Sequence, residues 1–388
     1  MKRALIFLTV TALAVSLCFV RIFEISYEAS TLSLPDSGAI SVDYSIDCPT
    51  NAARCAIVID ADSRSVLYSK NADERRGMAS TTKIMTALVA IESCDLQKSF
   101  TVPKEACGIE GSSVYLKEGE SLTVKELLYC LLLESGNDAA TALAIAVGGS
   151  VDGFVEMMNE RVLELSLENT HFANPHGLSD DNHYTTAREL AIITAEAMQY
   201  DVFREIVATK TARVPYDGIP EGRHLVNHNK LLFSSSDVIG VKTGYTSRDG
   251  KCLVSAAEKN GLTLIAVTLQ DAFPSSTHRT LLDCAFDNFT RVCIDKGGLS
   301  AEIAIAGRNG FLTLKSVGNH YVCLPKGADY ELELVTPEYL SPPIEKATPL
   351  CYAVCRSGGK DVYIIYLEST DEIYTERKSI IDLLFANR

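Results

Sequence analysis

Apolar and polar positions along this chain follow two periods, and the switch between them outlines the fold. Short apolar runs at 54–60 and 65–69 predict two strands joined by the turn Asp60-Ala-Asp-Ser-Arg64. From Ile84 to Ile91 no polar face is wide enough to meet water, which predicts a helix inside a domain with Ser80 to Lys83 at its head. Leu122 to Leu133 predicts a second buried helix, stopped near Gly136, and Asp138 to Ala146 starts a third at once. Ser135, Gly136 and Asn137 therefore fall on a tight connection between two core helices. Further helices are expected at about 151–165 and 186–200. Strands return at Val238–Val241, running into Lys242-Thr243-Gly244, and at 252–257 and 262–268, an antiparallel set closed by a helix over 279–289. Beyond 293 the texture becomes short β runs at 302–305, 311–314, 321–324, 330–335 and 362–366, the pattern of a small sandwich or barrel.

This order predicts an α/β (α+β) main domain over 51–292 and a small all-β domain over 293–372. Residues 25–50, with scattered Ser, Pro and Gly and no sustained periodicity, read as a linker. Ahead of it, Met1-Lys2-Arg3 and the apolar stretch Ala4–Val20 read as an export signal or N-terminal anchor over 1–24. The expected location is therefore extracytoplasmic, at the cell wall or the outer face of the cytoplasmic membrane. An amphipathic helix over 373–388, built on Lys378 to Phe385, is a candidate for lying on that membrane or packing back on the protein.

Composition narrows the function. A net charge of -14 over 388 residues leaves no basic stripe for phosphates, so no nucleic-acid partner is expected. The 12 cysteines include no Cys-x-x-Cys pair, and most sit singly in apolar runs as small buried hydrophobes. His171, His176 and His183 lack matching acidic spacing, so neither metal nor cofactor is expected. Asn174-Pro175-His176-Gly177 reads as a turn, and Asn227-His228-Asn229 as loop polarity.

The candidate chemistry begins at Ser80-Thr-Thr-Lys83. Residues three apart share a helix face, so the Lys83 amine reaches the Ser80 hydroxyl. A serine needs a base to become a nucleophile, and with no histidine near the motif Lys83 must serve. Lowering a lysine from its ordinary ~10.4 to about 7 costs roughly 4 kcal/mol, which desolvation and a neighbouring cation can supply. Lys242 is the candidate neighbour. The second Ser-x-x-Lys, Ser357-Gly-Gly-Lys360, has no buried helix behind it and reads as a hairpin tip.

Ser80-Thr-Thr-Lys83, Ser135-Gly-Asn137 and Lys242-Thr-Gly244, on a helix head, an interhelical turn and an edge strand, match the three signatures of penicillin-binding proteins and serine β-lactamases. Within that superfamily the chain resembles the low-molecular-mass D-alanyl-D-alanine carboxypeptidases of peptidase family S11. The resemblance runs from about 50 to 290 and includes Ser135-Gly-Asn-Asp-Ala-Ala, Phe172-Ala-Asn-Pro-His-Gly-Leu178 and Gly240-Val-Lys-Thr-Gly-Tyr-Thr246.

It implies a penicillin-binding-protein fold with an antiparallel sheet flanked by helices, and an acyl-enzyme on Ser80 formed from the D-Ala-D-Ala end of a peptidoglycan pentapeptide stem. Ser135 then relays a proton to the leaving D-alanine, and Asn137 orients Lys83. Lys242 and Thr243 attract the terminal carboxylate, Gly244 lets the substrate lie against the strand, and the N–H groups of Ser80 and Tyr245 form the oxyanion hole. Thr246 completes the substrate-binding strand, and β-lactams are expected inhibitors.

Two other readings compete. A class A β-lactamase needs a deacylating glutamate in Glu-x-x-Leu-Asn, which Glu164-Leu-Ser-Leu-Glu168-Asn169 does not match. A silent wall-binding protein has no physical need for buried lysines. For the carboxylate-binding arginine that family members commonly carry, Arg248 and Arg279 both stand as candidates.

Overall fold

The computed structural model describes residues 32–216 and 218–374. The expected leader, and the tail helix from 375 onward, lie outside the described residues. At the centre is a five-stranded antiparallel sheet of β1 (Cys55–Asp60), β2 (Val66–Lys70), β3 (Val238–Thr246), β4 (Gly250–Lys259) and β5 (Leu262–Leu269). Its spatial order is β2-β1-β5-β4-β3. Helices cover both faces, which is why β1 reads as one apolar run instead of alternating. Ile57 and Ile59 join the large helical core, whereas Ala56 and Val58 face Leu281, Leu282 and Phe286 on the other side.

The helical side carries α1 (Lys83–Ser93), α2 (Val124–Leu132), α3 (Asn137–Gly148), α4 (Val151–Glu164), α5 (Ala187–Ala197) and α6 (Asp201–Ala208). In α1 every residue from Lys83 to Ala90 is buried. A capping box opens α2: Thr123 Oγ1 accepts from Glu126 N–H at 3.2 Å, and Glu126 accepts from Thr123 N–H at 2.7 Å. The opposite face is covered by α7 (Pro274–Asn288), which starts earlier than the sequence suggests because Pro274 fills its first turn, where no N–H is needed.

Behind α7 the chain becomes all β. Strand β6 (Phe289–Asp295) follows the helix directly, so the β unit begins four residues before the expected boundary at 293. Next come β7 (Ser300–Ala304), β8 (Phe311–Lys315), β9 (His320–Pro325), β10 (Glu331–Val335), β11 (Pro349–Ser357) and β12 (Lys360–Ser369). Strands β6 and β9 pair with each other, and the rest form a sheet ordered β7-β8-β12-β11-β10. Ser357 pairs with Lys360 at the tip of the β11–β12 hairpin, so the second Ser-x-x-Lys is a turn.

The linker reading needs correction at its C-terminal end. Gly38 and Ala39 pair with β12, Tyr44 and Ile46 N–H groups donate to Val66 and Leu67 carbonyls at 2.8 Å, and Cys48 is disulfide-bonded to Cys284 of α7. Val42, Tyr44, Ile46 and Cys48 occupy alternate positions, a period-2 signal hidden by the Ser, Asp and Pro residues around it. Two satellite cores absorb these side chains. The other described cysteines are free thiols, most of them buried, as their apolar surroundings suggest.

Candidate active site

Ser80 sits in a 3-10 turn, Ala79–Thr82, that leads straight into α1. The turn is held from behind. Thr81 and Thr82 hydroxyls donate to the Met78 and Ala79 carbonyls at 2.6 and 2.8 Å, and Thr82 Oγ1 lies 2.7 Å from His183 Nε2. Burial pushes His183 down to about 3, so it is a neutral strut at ordinary pH. Among the described residues no cluster of three or more His, Cys, Asp or Glu is arranged to hold a metal.

The Lys83 side chain is completely buried and its amine has three partners. Nζ lies 3.0 Å from Ser80 Oγ and donates to Asn137 Oδ1 at 2.7 Å and to the His176 carbonyl at 2.6 Å. Asn137 is fixed in turn, its Nδ2 donating to Glu110 O at 2.5 Å and its backbone N–H to Ser112 O at 2.7 Å. Next to it, Asp138 accepts from the Val114 and Leu116 N–H groups at 3.1 and 3.0 Å, tying α3 to the 112–116 loop. Ser135 precedes α3 with φ +63, a left-handed conformation a non-glycine residue adopts only when its surroundings insist.

Strand β3 brings the third stretch along the sheet edge. A Cβ on Gly244 would fall 2.9 Å from Ser80 N, so only glycine lets this strand pass so close to the nucleophile's backbone. Lys242 is 1% exposed, with Nζ donating to Thr243 O at 3.0 Å. Desolvation brings Lys242 down to about 7, against the pull of Glu134. Desolvation first, and then Lys242, hold Lys83 well below an ordinary lysine, although Asp138 opposes them. An amine held 3.0 Å from a serine hydroxyl, with its charged form disfavoured by burial, can accept that serine's proton. Ser80, Ser135, Thr243, Gly244 and Tyr245 all line one cleft of about 590 Å³.

Residues 43–273 match the profile of the D-alanyl-D-alanine carboxypeptidases, peptidase family S11. The chain belongs to this family. It is 33% identical to the D-alanyl-D-alanine carboxypeptidase DacF of Bacillus subtilis over 321 residues, 79% of this chain and 82% of the relative. With DacA of Haemophilus influenzae, another D-alanyl-D-alanine carboxypeptidase, it shares 29% identity over 365 residues, 88% of this chain and 90% of the relative. The crystal structure of penicillin-binding protein 5 from Haemophilus influenzae superposes with a TM-score of 0.73 at 28% identity, covering 85% of this chain and all of that one. Membership makes the chain a hydrolase of the carboxypeptidase class with a penicillin-binding-protein fold.

In this carboxypeptidase the Thr246 hydroxyl is engaged at the end of β3, where Oγ1 accepts from Ser179 Oγ at 3.0 Å and from Asp249 N–H at 2.9 Å. The two candidate arginines are paired elsewhere. Arg248 pairs with Asp181 at 2.6 Å in solvent, and Arg279 donates to Ser234 Oγ at 3.0 Å. The cationic side chains in the lining are Lys230 and Lys251, with His228 beside them. Glu164 is spent on Arg161 at 3.0 Å on the surface, far in role from a deacylating base.

Sequence reasoning missed the His176 carbonyl, Asp138 and His228. A main-chain acceptor leaves no side-chain signature, whereas the two asparagines flanking His228 are a signal that could have found it. Gly177 secures the His176 carbonyl: φ is +87, and a Cβ there would lie 2.0 Å from Ala79 O. Gly177→Ala is therefore expected to shift the Ser80 turn and slow acylation by about tenfold or more. Penicillin-labelling rates compared with wild type check this, and an unchanged rate counts against it.

Proposed function

We propose that this carboxypeptidase works by a serine mechanism, releasing the terminal D-alanine of peptidoglycan stem peptides. The observation that carries the reading is Lys83 Nζ placed 3.0 Å from Ser80 Oγ, buried and with its charged form disfavoured. Lys83 takes the Ser80 proton as Oγ attacks the carbonyl of the penultimate D-alanine, and the oxyanion that forms meets the N–H groups of Ser80 and Tyr245. Collapse breaks the peptide C–N bond, and the proton travels from Lys83 through Ser135 to the departing amine. Water then attacks the ester, with Lys83 again as base, and frees the shortened stem.

Lys242 as ammonium, with the Thr243 hydroxyl, meets the terminal carboxylate, which restricts cleavage to a chain end. Asn137 holds the Lys83 amine and the substrate amide. A β-lactam presents a similar carboxylate and a strained amide, so it leaves a slowly hydrolysed acyl group on Ser80.

We place the enzyme outside the cytoplasmic membrane because its substrate is wall peptide and because 1–24 has the charge and apolarity of an export signal. Tethering to the outer membrane face through 1–24 or 373–388 belongs to the same proposal. Among the described residues no single helix is long and apolar enough to cross a membrane.

The direct test is incubation with a D-Ala-D-Ala-terminated peptide and with its C-terminal amide. Free D-alanine is expected from the first and almost none from the second. Equal cleavage of both would remove the carboxylate-recognition step, and rapid turnover of penicillin would favour a β-lactamase.

A further inference from the structure

The residue before Ser135 has no part in the chemistry so far, yet its carboxylate reaches a second segment, 226–228. Glu134 Oε1 accepts the Val226 N–H at 2.6 Å, and Oε2 lies 3.2 Å from His228 Nε2. His228 N–H in turn donates to Leu133 O at 3.4 Å, so three hydrogen bonds join the two segments. The His228 loop is itself pinned. Asn227 Nδ2 donates to the Val207 and Thr209 carbonyls at 3.1 Å, and Asn229 Nδ2 donates to Gly240 O at 2.9 Å, on the strand that carries Lys242. A continuous set of hydrogen bonds therefore runs from the Ser135 turn through Glu134 and the 227–229 loop to β3.

We propose that Glu134 is a positioning residue of the cleft: its carboxylate locks the Ser135 turn to the His228 loop and serves as counter-charge to the Lys242 ammonium. The proposal rests on the reading that Lys242 meets a carboxylate. Lys242 interacts electrostatically with Lys83, Glu134 and His228, and Asp138 acts on Lys83. By the same interactions Lys83 and His228, when charged, disfavour the Lys242 ammonium, whereas Glu134 favours it. His228 is lowered by burial first and then by Lys242, which weakens its claim as the partner of the Glu134 carboxylate. Without it the ammonium would be lost at lower pH, and with it the attraction for an anionic chain end.

The test is the pH dependence of acylation by a fluorescent penicillin, for wild type, Glu134→Gln and Glu134→Asp. Glutamine keeps an acceptor for Val226 N–H but carries no charge; aspartate keeps the charge. The alkaline midpoint of Glu134→Gln is expected to fall by about one unit or more, making labelling just above neutral pH about tenfold slower, with Glu134→Asp close to wild type. A midpoint does not depend on the fraction of protein folded, so a weakened variant still reports. Superimposable profiles for Glu134→Gln and wild type overturn the proposal. So does loss of all labelling in both variants, because the carboxylate would then be holding the fold and not the charge. Release of D-alanine by wild type is followed in parallel: its absence sinks the carboxypeptidase mechanism, while the penicillin midpoints still judge Glu134.

Discussion

Ser80→Ala is expected to lose D-alanine release and covalent penicillin capture together, each by roughly 10⁴-fold or more, the scale on which removing a nucleophile acts in hydrolases of this kind. The fold has little reason to change. Ser80 Oγ is one of three hydrogen-bond partners around Lys83 Nζ, and the Asn137 and His176 contacts at 2.7 and 2.6 Å persist in the variant. The threonines that brace the turn, Thr81 and Thr82, use their own hydroxyls and are untouched. The two measurements are burst labelling with fluorescent penicillin and D-alanine release, with a thermal melt showing that the variant is folded. A folded Ser80→Ala protein that still forms a stoichiometric penicillin adduct would place the nucleophile elsewhere.

Lys83→Met should be almost as damaging, about 10²–10⁴-fold in acylation, the usual contribution of a general base. Methionine approximates the lysine stem in volume and leaves Ser80 in place, so binding of substrate should survive better than its turnover. The pH profile separates this role from simple packing. In wild type, acylation is expected to rise with pH as Lys83, held well below an ordinary lysine by desolvation and then by Lys242, gives up its proton. It should fall again as pH passes about 7, where Lys242 loses the charge that holds a carboxylate. The two amines titrate as an interacting pair, so the midpoints belong to the pair. A bound carboxylate stabilises the Lys242 ammonium, and the falling limb of kcat should therefore lie at higher pH than that of kcat/KM. In Lys83→Met the rising limb should disappear while the falling limb remains. Persistence of the rising limb would assign the base to another group.

Both expectations use a constellation that is partly legible in the chain itself. The apolar run Ile84–Ile91 can only be a buried helix, and residues three apart on it must face the same way, so the Ser80–Lys83 pair follows from spacing alone. The 3.0 Å contact is the consequence. The tight turn at Ser135–Asn137 follows from Gly136 between two apolar helices, and the sheet from apolar runs too short for helices. Less regular segments escape. Val42 to Cys48 reads as a linker because its alternation is short and its neighbours are turn formers, although the β2 edge is available to pair with it. The places of Arg248 and Arg279 are also undecidable by residue type, since an exposed arginine and a cleft arginine look alike in sequence.

By itself, then, the sequence determined the local elements, the pairing of Ser80 with Lys83 and the set of residue types able to do the chemistry. Tertiary structure alone decided what surrounds them. It placed Lys242 near Lys83, from a strand 159 positions later, and it put the His176 carbonyl on the amine and bound the Thr246 hydroxyl to Ser179 and Asp249. The physical reason is range. Helical and strand periods are set by neighbours a few residues apart, whereas the charge state of a buried amine depends on desolvation and on groups the chain delivers from hundreds of residues away.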